Sequence, residues 1–206
     1  MKASERIVSL YEENAAAWDR MRGPGLFETP WLDRFLARVR PGGTILDIGC
    51  GTGLPIARYL IERGFRVTGI DSAPSFIAMC QARFPGHEWQ VADVRSLALG
   101  RRFDGLIAWH SAFFHLTPED QEPLFPRLAG HAAPGAALIF TSGPERGEVI
   151  AEWQGEPLYH GSLAPDEYRA LLEANGFGDI VHRARDPECG EATLWLASRE
   201  TSSASP

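Results

Sequence analysis

Residues 44–53, Thr44-Ile45-Leu46-Asp47-Ile48-Gly49-Cys50-Gly51-Thr52-Gly53, decide the reading of this chain. Thr44 to Ile48 is a short apolar and β-branched run of the kind buried in a parallel sheet, and it passes without a linker into three glycines at alternate positions. Residues 54–63 then take a helical pattern. A strand, a glycine-rich turn and a helix in that order open a βαβ unit, and the turn brings backbone N–H groups against a ligand. Side chains at those positions would block the approach, and glycine removes them.

Outward from this turn, short apolar runs alternate with helical stretches. Strands are expected at 66–70, 88–91, 104–109, 136–141, 178–183 and 192–198. Helices are expected at 74–83, 118–130 and 165–175, with Pro74, Pro118 and Pro165 in first-turn positions and Asn175-Gly176 as a stop. Only polar, turn-rich residues 186–191 separate the last two strands, too few for a crossover helix, so these strands must pair antiparallel. The expected fold class is therefore α/β: a doubly wound, seven-stranded, mostly parallel sheet with an antiparallel C-terminal hairpin. Residues 1–40 are expected to form an N-terminal helical cap, with amphipathic helices at 4–20 and 28–39 separated by Gly23-Pro24-Gly25. Ile7, Tyr11, Asn14 and Trp18 fall on one face of the first. Residues 41–200 form the ligand-binding domain and 201–206 a small, polar, disordered tail. Residues 142–163 form an unusually long connection at the carboxyl side of the sheet, where ligand sites are built.

Composition sets the outer bounds. A chain of 206 residues, 44% hydrophobic and 23% charged, suits one core. A net charge of -7 argues against gripping a phosphate backbone, so no nucleic-acid partner is expected. The first twenty residues hold no continuous apolar run; neither signal peptide nor membrane anchor is expected, and the chain is placed in the cytoplasm as a monomer or homodimer. Cys50, Cys80 and Cys189 lack C-x-x-C spacing, so neither a disulfide framework nor a metal site is expected.

The spacing of the glycines narrows the ligand. Dinucleotide folds seat a pyrophosphate on G-x-G-x-x-G, whereas Gly49, Gly51 and Gly53 form G-x-G-x-G with Asp47 two positions ahead. An acid there repels a diphosphate and suits a cationic ligand, such as the ammonium and sulfonium of an adenosylated methionine. Asp71 closes the second strand, where nucleoside binders place a carboxylate for the ribose hydroxyls. Asp93 ends the third and, with the N–H of Val94, is placed to meet an adenine edge. Any one of these acids reads equally as a cap or turn residue; three at successive strand ends beside the glycines point to a site.

ILDIGCGTG at Ile45 to Gly53, joined by VTGIDSAP at Val67 to Pro74, resembles the class I S-adenosylmethionine-dependent methyltransferases, with the likeness running over about residues 40–200. The resemblance implies a Rossmann-like sheet of the kind already expected and S-adenosylmethionine as cofactor. It implies Gly49, Cys50 and Gly51 against the methionine part, Asp47 toward the amino group, Asp71 and Ser72 on the ribose and Asp93 with Val94 on adenine. It also implies His110, at the end of the fourth strand, beside both methionine and acceptor, and an aromatic cap made by Tyr11 and Trp18, with Arg22 on the methionine carboxylate. Trp109-His110-Ser111-Ala112 departs from the Asn-Pro-Pro-Tyr type of motif, which argues against an amide or nucleobase acceptor.

The acceptor is thus expected to be a small organic molecule methylated on oxygen or nitrogen. Removing its proton near neutral pH suits histidine, and His110, His115 and His160 are the candidates the fold places nearby. Trp18, Phe113, Phe114, Trp153 and Tyr159 are candidate walls. Two alternatives stay open: a nicotinamide-dependent oxidoreductase on a related sheet, and a non-catalytic subunit that binds S-adenosylmethionine to regulate another protein.

Overall fold

The computed structural model describes residues 3–201; the rest of the expected C-terminal tail lies outside the described residues. β1 (Thr44–Ile48), β2 (Arg66–Asp71), β3 (Glu88–Val91), β4 (Phe103–Ala108), β5 (Ala132–Ser142), β8 (Phe177–Asp186) and β9 (Ala192–Arg199) form one sheet in the order β3-β2-β1-β4-β5-β9-β8. The first five are parallel, while β9 runs antiparallel to both β5 and β8, as the short 186–191 connection requires.

Alternation along the strands supplies two cores. Ile45, Val67, Ile107 and Ile139 face α3 (Thr29–Leu36), α4 (Ile56–Glu62) and α5 (Pro74–Arg83). Their neighbours Leu46, Leu106 and Leu138, with Phe140, face α6 (Ala112–His115), α8 (Leu124–His131) and α9 (Pro165–Ala174). Both faces of the strands are therefore apolar, which is why TILDI reads as a continuous run. The chain winds from β1 outward to β3, then crosses to β4 and β5 on the other side. That reversal opens a crevice at the carboxyl ends of β1 and β4.

Several expected helices are interrupted, each for a local reason. The helix expected at 4–20 is a 3-10 turn (Ala3–Arg6), α1 (Ile7–Glu13) and α2 (Ala15–Arg22), because Asn14 leaves helical geometry and its side chain donates to the Leu10 carbonyl at 2.9 Å. The helix expected at 118–130 divides into α7 (Pro118–Gln121) and α8 around Pro123, which cannot continue the hydrogen-bond ladder. The larger difference is the long connection at 142–163. It holds an antiparallel hairpin, β6 (Gly147–Trp153) and β7 (Glu156–Ser162), separate from the main sheet. Gln154 and Gly155 turn it with φ of 56° and 79°, the two left-handed residues of a type I′ turn.

Among the described residues no helix is long and apolar enough to cross a membrane.

Candidate active site

A cavity runs along the carboxyl edge of β3, β2, β1 and β4, with α1 and α2 over it. Four adjacent strands make a floor on the order of 14 Å across. Asp93 and Val94 lie at one end, Asp71 and Ser72 next, Asp47 with Gly49, Cys50 and Gly51 in the middle, and Trp109, His110 and His115 at the other end; Tyr11, Trp18 and Arg22 come down from above.

The glycine turn is tied to its neighbours by backbone groups. The Gly49 and Cys50 N–H groups donate to the Ile70 carbonyl at 2.8 and 3.0 Å, and the Gly51 N–H donates to Asp71 Oδ2 at 3.0 Å. Asp71 Oδ1 accepts from the Ala73 N–H at 2.9 Å. A side chain at Gly49, where φ is 70°, would place its Cβ 2.4 Å from that of Ser111, whose hydroxyl donates to the Ile48 carbonyl at 2.6 Å. Gly53, φ 77°, is closed off by the Phe84 ring at 3.0 Å and Cys80 Sγ at 3.2 Å. Only Gly51 faces the cap, 3.7 Å from Trp18 Nε1. The expectation that the glycines clear a ligand's path therefore applies to Gly51; Gly49 and Gly53 are required by packing.

Asp47 is 3% exposed, and its Oδ2 has no hydrogen-bond partner. Burial, with the charge of Asp71, pushes its carboxyl up to about 7. Burial also raises Asp71, against the backbone N–H groups of Ala73, Gly51 and Ser72 that favour its charge. Asp93 is raised by burial but ends below the usual range, because its carboxylate accepts from the Arg95 N–H at 2.8 Å and pairs with the Arg95 guanidinium. It caps the short 3-10 turn Val94–Ser96 while lining the cavity.

At the other end the histidines separate into different situations. His115 Nδ1 faces the Tyr159 carbonyl at 3.1 Å, so that nitrogen carries the proton; Nε2 then accepts from the Tyr11 hydroxyl at 3.0 Å. Burial lowers His115 to about 4, and burial followed by the Asp71 charge raises Tyr11, so acceptor and donor keep these states near neutrality. His110, at φ 45°, is anchored through its backbone N–H to Thr141 Oγ1 at 2.8 Å, and its accessible ring lines the cavity. Desolvation by the crowded cavity walls, then the charges of Arg22 and His160, lower it to about 4, although part of the residue still meets solvent. His160 does not line the cavity; its ring packs 5.5 Å from His115 and 5.6 Å from Phe114.

The comparisons with known proteins agree with this geometry. Residues 45–135 match the methyltransferase domain family. The chain is 31% identical over 139 residues to a cypemycin N-terminal methyltransferase from Streptomyces sp, covering 64% of this chain and 55% of that protein. It is 30% identical over 117 residues to a magnesium-protoporphyrin O-methyltransferase from Rhodobacter capsulatus, covering 54% and 50%. It thus spans about half the length of the curated relatives it matches. A magnesium protoporphyrin IX methyltransferase from Synechocystis PCC 6803 with bound SAM superposes with a TM-score of 0.73 at 19% identity, over 97% of this chain and 98% of that one. The fold is that of the class I S-adenosylmethionine-dependent methyltransferases. An amino pentose methyltransferase from Micromonospora echinaspora, also with SAM bound, shares it at a TM-score of 0.69 and 21% identity, over 89% and 95%.

Within this methyltransferase fold the donor set fits S-adenosylmethionine: the orphaned oxygen of Asp47 lacks a cationic or N–H partner, which the amino group of that molecule supplies. All the expected cofactor residues line the one cavity. Arg22 is already paired with Glu28, a fully buried acid that the sequence reading passed over, and donates to the Gly25 carbonyl at 3.0 Å. Of the expected walls Trp18 lines the cavity, whereas Phe113, Phe114, Trp153 and Tyr159 do not. Phe113 is 1% exposed and stacks on Phe140 at 4.4 Å in the core, and Tyr159, on β7 of the hairpin, is buried and contributes its carbonyl. Trp153 instead packs on Tyr11 and Trp18 at 5.6 and 5.7 Å. Glu12, which accepts from the Ser75 N–H and hydroxyl at 2.9 and 2.6 Å, and Asp19, paired with Arg83 at 2.6 Å, also fasten α1 and α2 to α5. No local pattern marked them, because their partners lie more than sixty residues away.

Proposed function

We propose that this chain transfers the methyl group of S-adenosylmethionine to an oxygen or nitrogen of a small organic acceptor, with α1 and α2 acting as a cap over the cofactor while α3, expected as part of that cap, packs in the core. The observation that carries this reading is the buried, unpartnered carboxylate oxygen of Asp47, set beside Gly51 and in line with Asp71 in a cavity that ends at His110. When bound, S-adenosylmethionine supplies an electrophilic methyl on a sulfonium. Asp47 holds the amino group, Asp71 and Ser72 the ribose, Asp93 and Val94 the adenine, and Arg22, steadied by Glu28, the carboxylate.

His110 is the proton acceptor in this proposal, since its neutral ring faces the cavity. His115 is a positioning residue: both ring nitrogens are occupied, one by the cap through Tyr11 and the other by the hairpin through Tyr159. His160 supports it from behind. A nicotinamide cofactor fits poorly, because its diphosphate would have to settle against Asp47 and Asp71. The test is calorimetry with S-adenosylhomocysteine and, separately, NAD, followed by methyl incorporation from labelled S-adenosylmethionine across phenols, carboxylic acids and amines. Binding of S-adenosylhomocysteine alone, with a methylated product, supports the reading; binding of NAD in its place sinks it. Tight binding with no product from any acceptor would favour the non-catalytic subunit.

A further inference from the structure

Large apolar side chains that stay exposed are concentrated on the N-terminal segment and the hairpin. Among the described residues, Val8 (37%), Met21 (54%) and Phe27 (48%) lie on the N-terminal segment and Val149 (62%) and Ile150 (64%) on the hairpin, whereas the seven-stranded sheet contributes only Val91 and Val181. Three of the five connect to the cavity. Val8 lines it and is exposed, so the cavity opens there. Met21 Sδ accepts from Trp153 Nε1 at 3.4 Å, and Trp153 packs on the cavity residues Tyr11 and Trp18. The hairpin register sets Val149 opposite His160, whose ring packs on His115. Val149 therefore shares the hairpin face whose rings, Trp153 and His160, pack on the cavity residues Tyr11, Trp18 and His115, and Ile150, the next residue, points to the other face.

Two arginines near this opening are already paired. Arg22 is paired with Glu28, and Arg6 with Glu156 at 3.2 Å. Among the described lining residues the carboxylates are Asp47, Asp71 and Asp93, all on the cofactor side, so the acceptor end offers a cationic acceptor no counter-ion. An apolar rim continuous with a cavity marks a ligand surface larger than the cavity itself.

We infer that the acceptor is an uncharged hydroxyl compound whose reacting group reaches His110 while an extended apolar body leaves the cavity past Val8 and lies against Val149. This rests on the methyltransferase reading. The two fail differently: loss of the reading shows as no binding of S-adenosylhomocysteine.

The experiment measures binding to the complex with S-adenosylhomocysteine of phenol, 1-naphthol, 1-hydroxypyrene and the cationic 1-pyrenemethylamine at pH 7.5. Affinity is expected to rise about tenfold or more from phenol to 1-hydroxypyrene, as each added ring removes apolar area from water. The amine is expected to bind at least about tenfold more weakly than 1-hydroxypyrene, lacking a counter-ion for its charge. Val8→Ser and Val149→Ser should each weaken 1-hydroxypyrene about threefold, more than they weaken phenol, while Ile150→Ser should leave it unchanged. Equal affinities for phenol and 1-hydroxypyrene, an equal loss from Val149→Ser and Ile150→Ser, or an amine that binds as well as the alcohol would each overturn the inference.

Discussion

Asp47 lies in β1 and His110 two residues past the end of its neighbour β4, yet the two halves of the cavity they represent are built by different means. Around Asp47 the floor is held by backbone groups: Gly49 and Cys50 to Ile70, Gly51 and Ala73 to Asp71. Around His110 the roof is held by side chains from distant parts of the chain, with Tyr11 tied to His115 across 104 positions and His115 to Tyr159 across 44. A backbone-held floor is rigid and keeps a buried acid waiting for a cation. A roof held by a few side-chain bonds opens when one of them is removed, and the fold beneath it stands.

The sharpest way to break this comparison is Asp47→Asn. It removes the charge without changing shape, and affinity for S-adenosylhomocysteine should fall by about 3 kcal/mol, or roughly a hundredfold by calorimetry. The unliganded protein should melt higher at pH 8, since the variant no longer carries an ionised carboxylate in a buried place. A drop in both affinity and melting temperature would mean that Asp47 supports the fold instead of the ligand.

Gly49→Ala tests the floor as a packed object. Its Cβ would fall 2.4 Å from that of Ser111, at a φ of 70° that L side chains resist. Together these should destabilise by about 2 kcal/mol, lowering Tm by roughly 4–8 °C. Gly51→Ala, at φ 53° but with its Cβ in ordinary contact with Trp18 Nε1 at 3.7 Å, should lower Tm less and cofactor affinity more.

The pH dependence separates the floor's two properties. Asp47 is raised from its ordinary value to about 7 in the fold, so its protonated form is the one the fold prefers. Its contribution to the stability of the unliganded protein is fully present below about pH 4 and is lost as pH rises to about 7. Cofactor binding runs the other way: affinity should be flat above about pH 7 and fall up to about tenfold per unit below it, as the carboxylate takes a proton. Affinity that stays constant from pH 8 to 5.5 would show that the amino group is held by something else.

On affinity and stability the smallest effect belongs to the hydrogen bond between Tyr11 and His115. Tyr11→Phe and His115→Gln each remove one side of a hydrogen bond, and a double-mutant cycle on cofactor affinity should give a coupling of about 1 kcal/mol. Tm should change little, and KM for the cofactor should rise more than kcat falls. His110→Asn, which tolerates the left-handed backbone, should lower kcat about a hundredfold with cofactor affinity kept.

The chain's own pattern determined β1, β3 and α5 to the residue, the terminal antiparallel hairpin, and the row Asp47, Asp71 and Asp93, because each depends on neighbours within a few positions: a strand's burial, a proline at a first turn, a connection too short for a helix. The hairpin at 147–162 escaped because Gln154 stands where asparagine or aspartate usually marks a type I′ turn, and because its partners are α1 and α6 instead of the main sheet. Only the folded chain decided that Gly49 answers to Ser111, that Glu28 is buried beneath Arg22, and that His115 holds the roof while His110 faces the cavity. The physical reason is the same in each case: these are contacts between side chains brought together by the crossing from β3 to β4 and by the cap folding back. A one-dimensional pattern carries periodicity and turn chemistry but not the identity of what lies opposite.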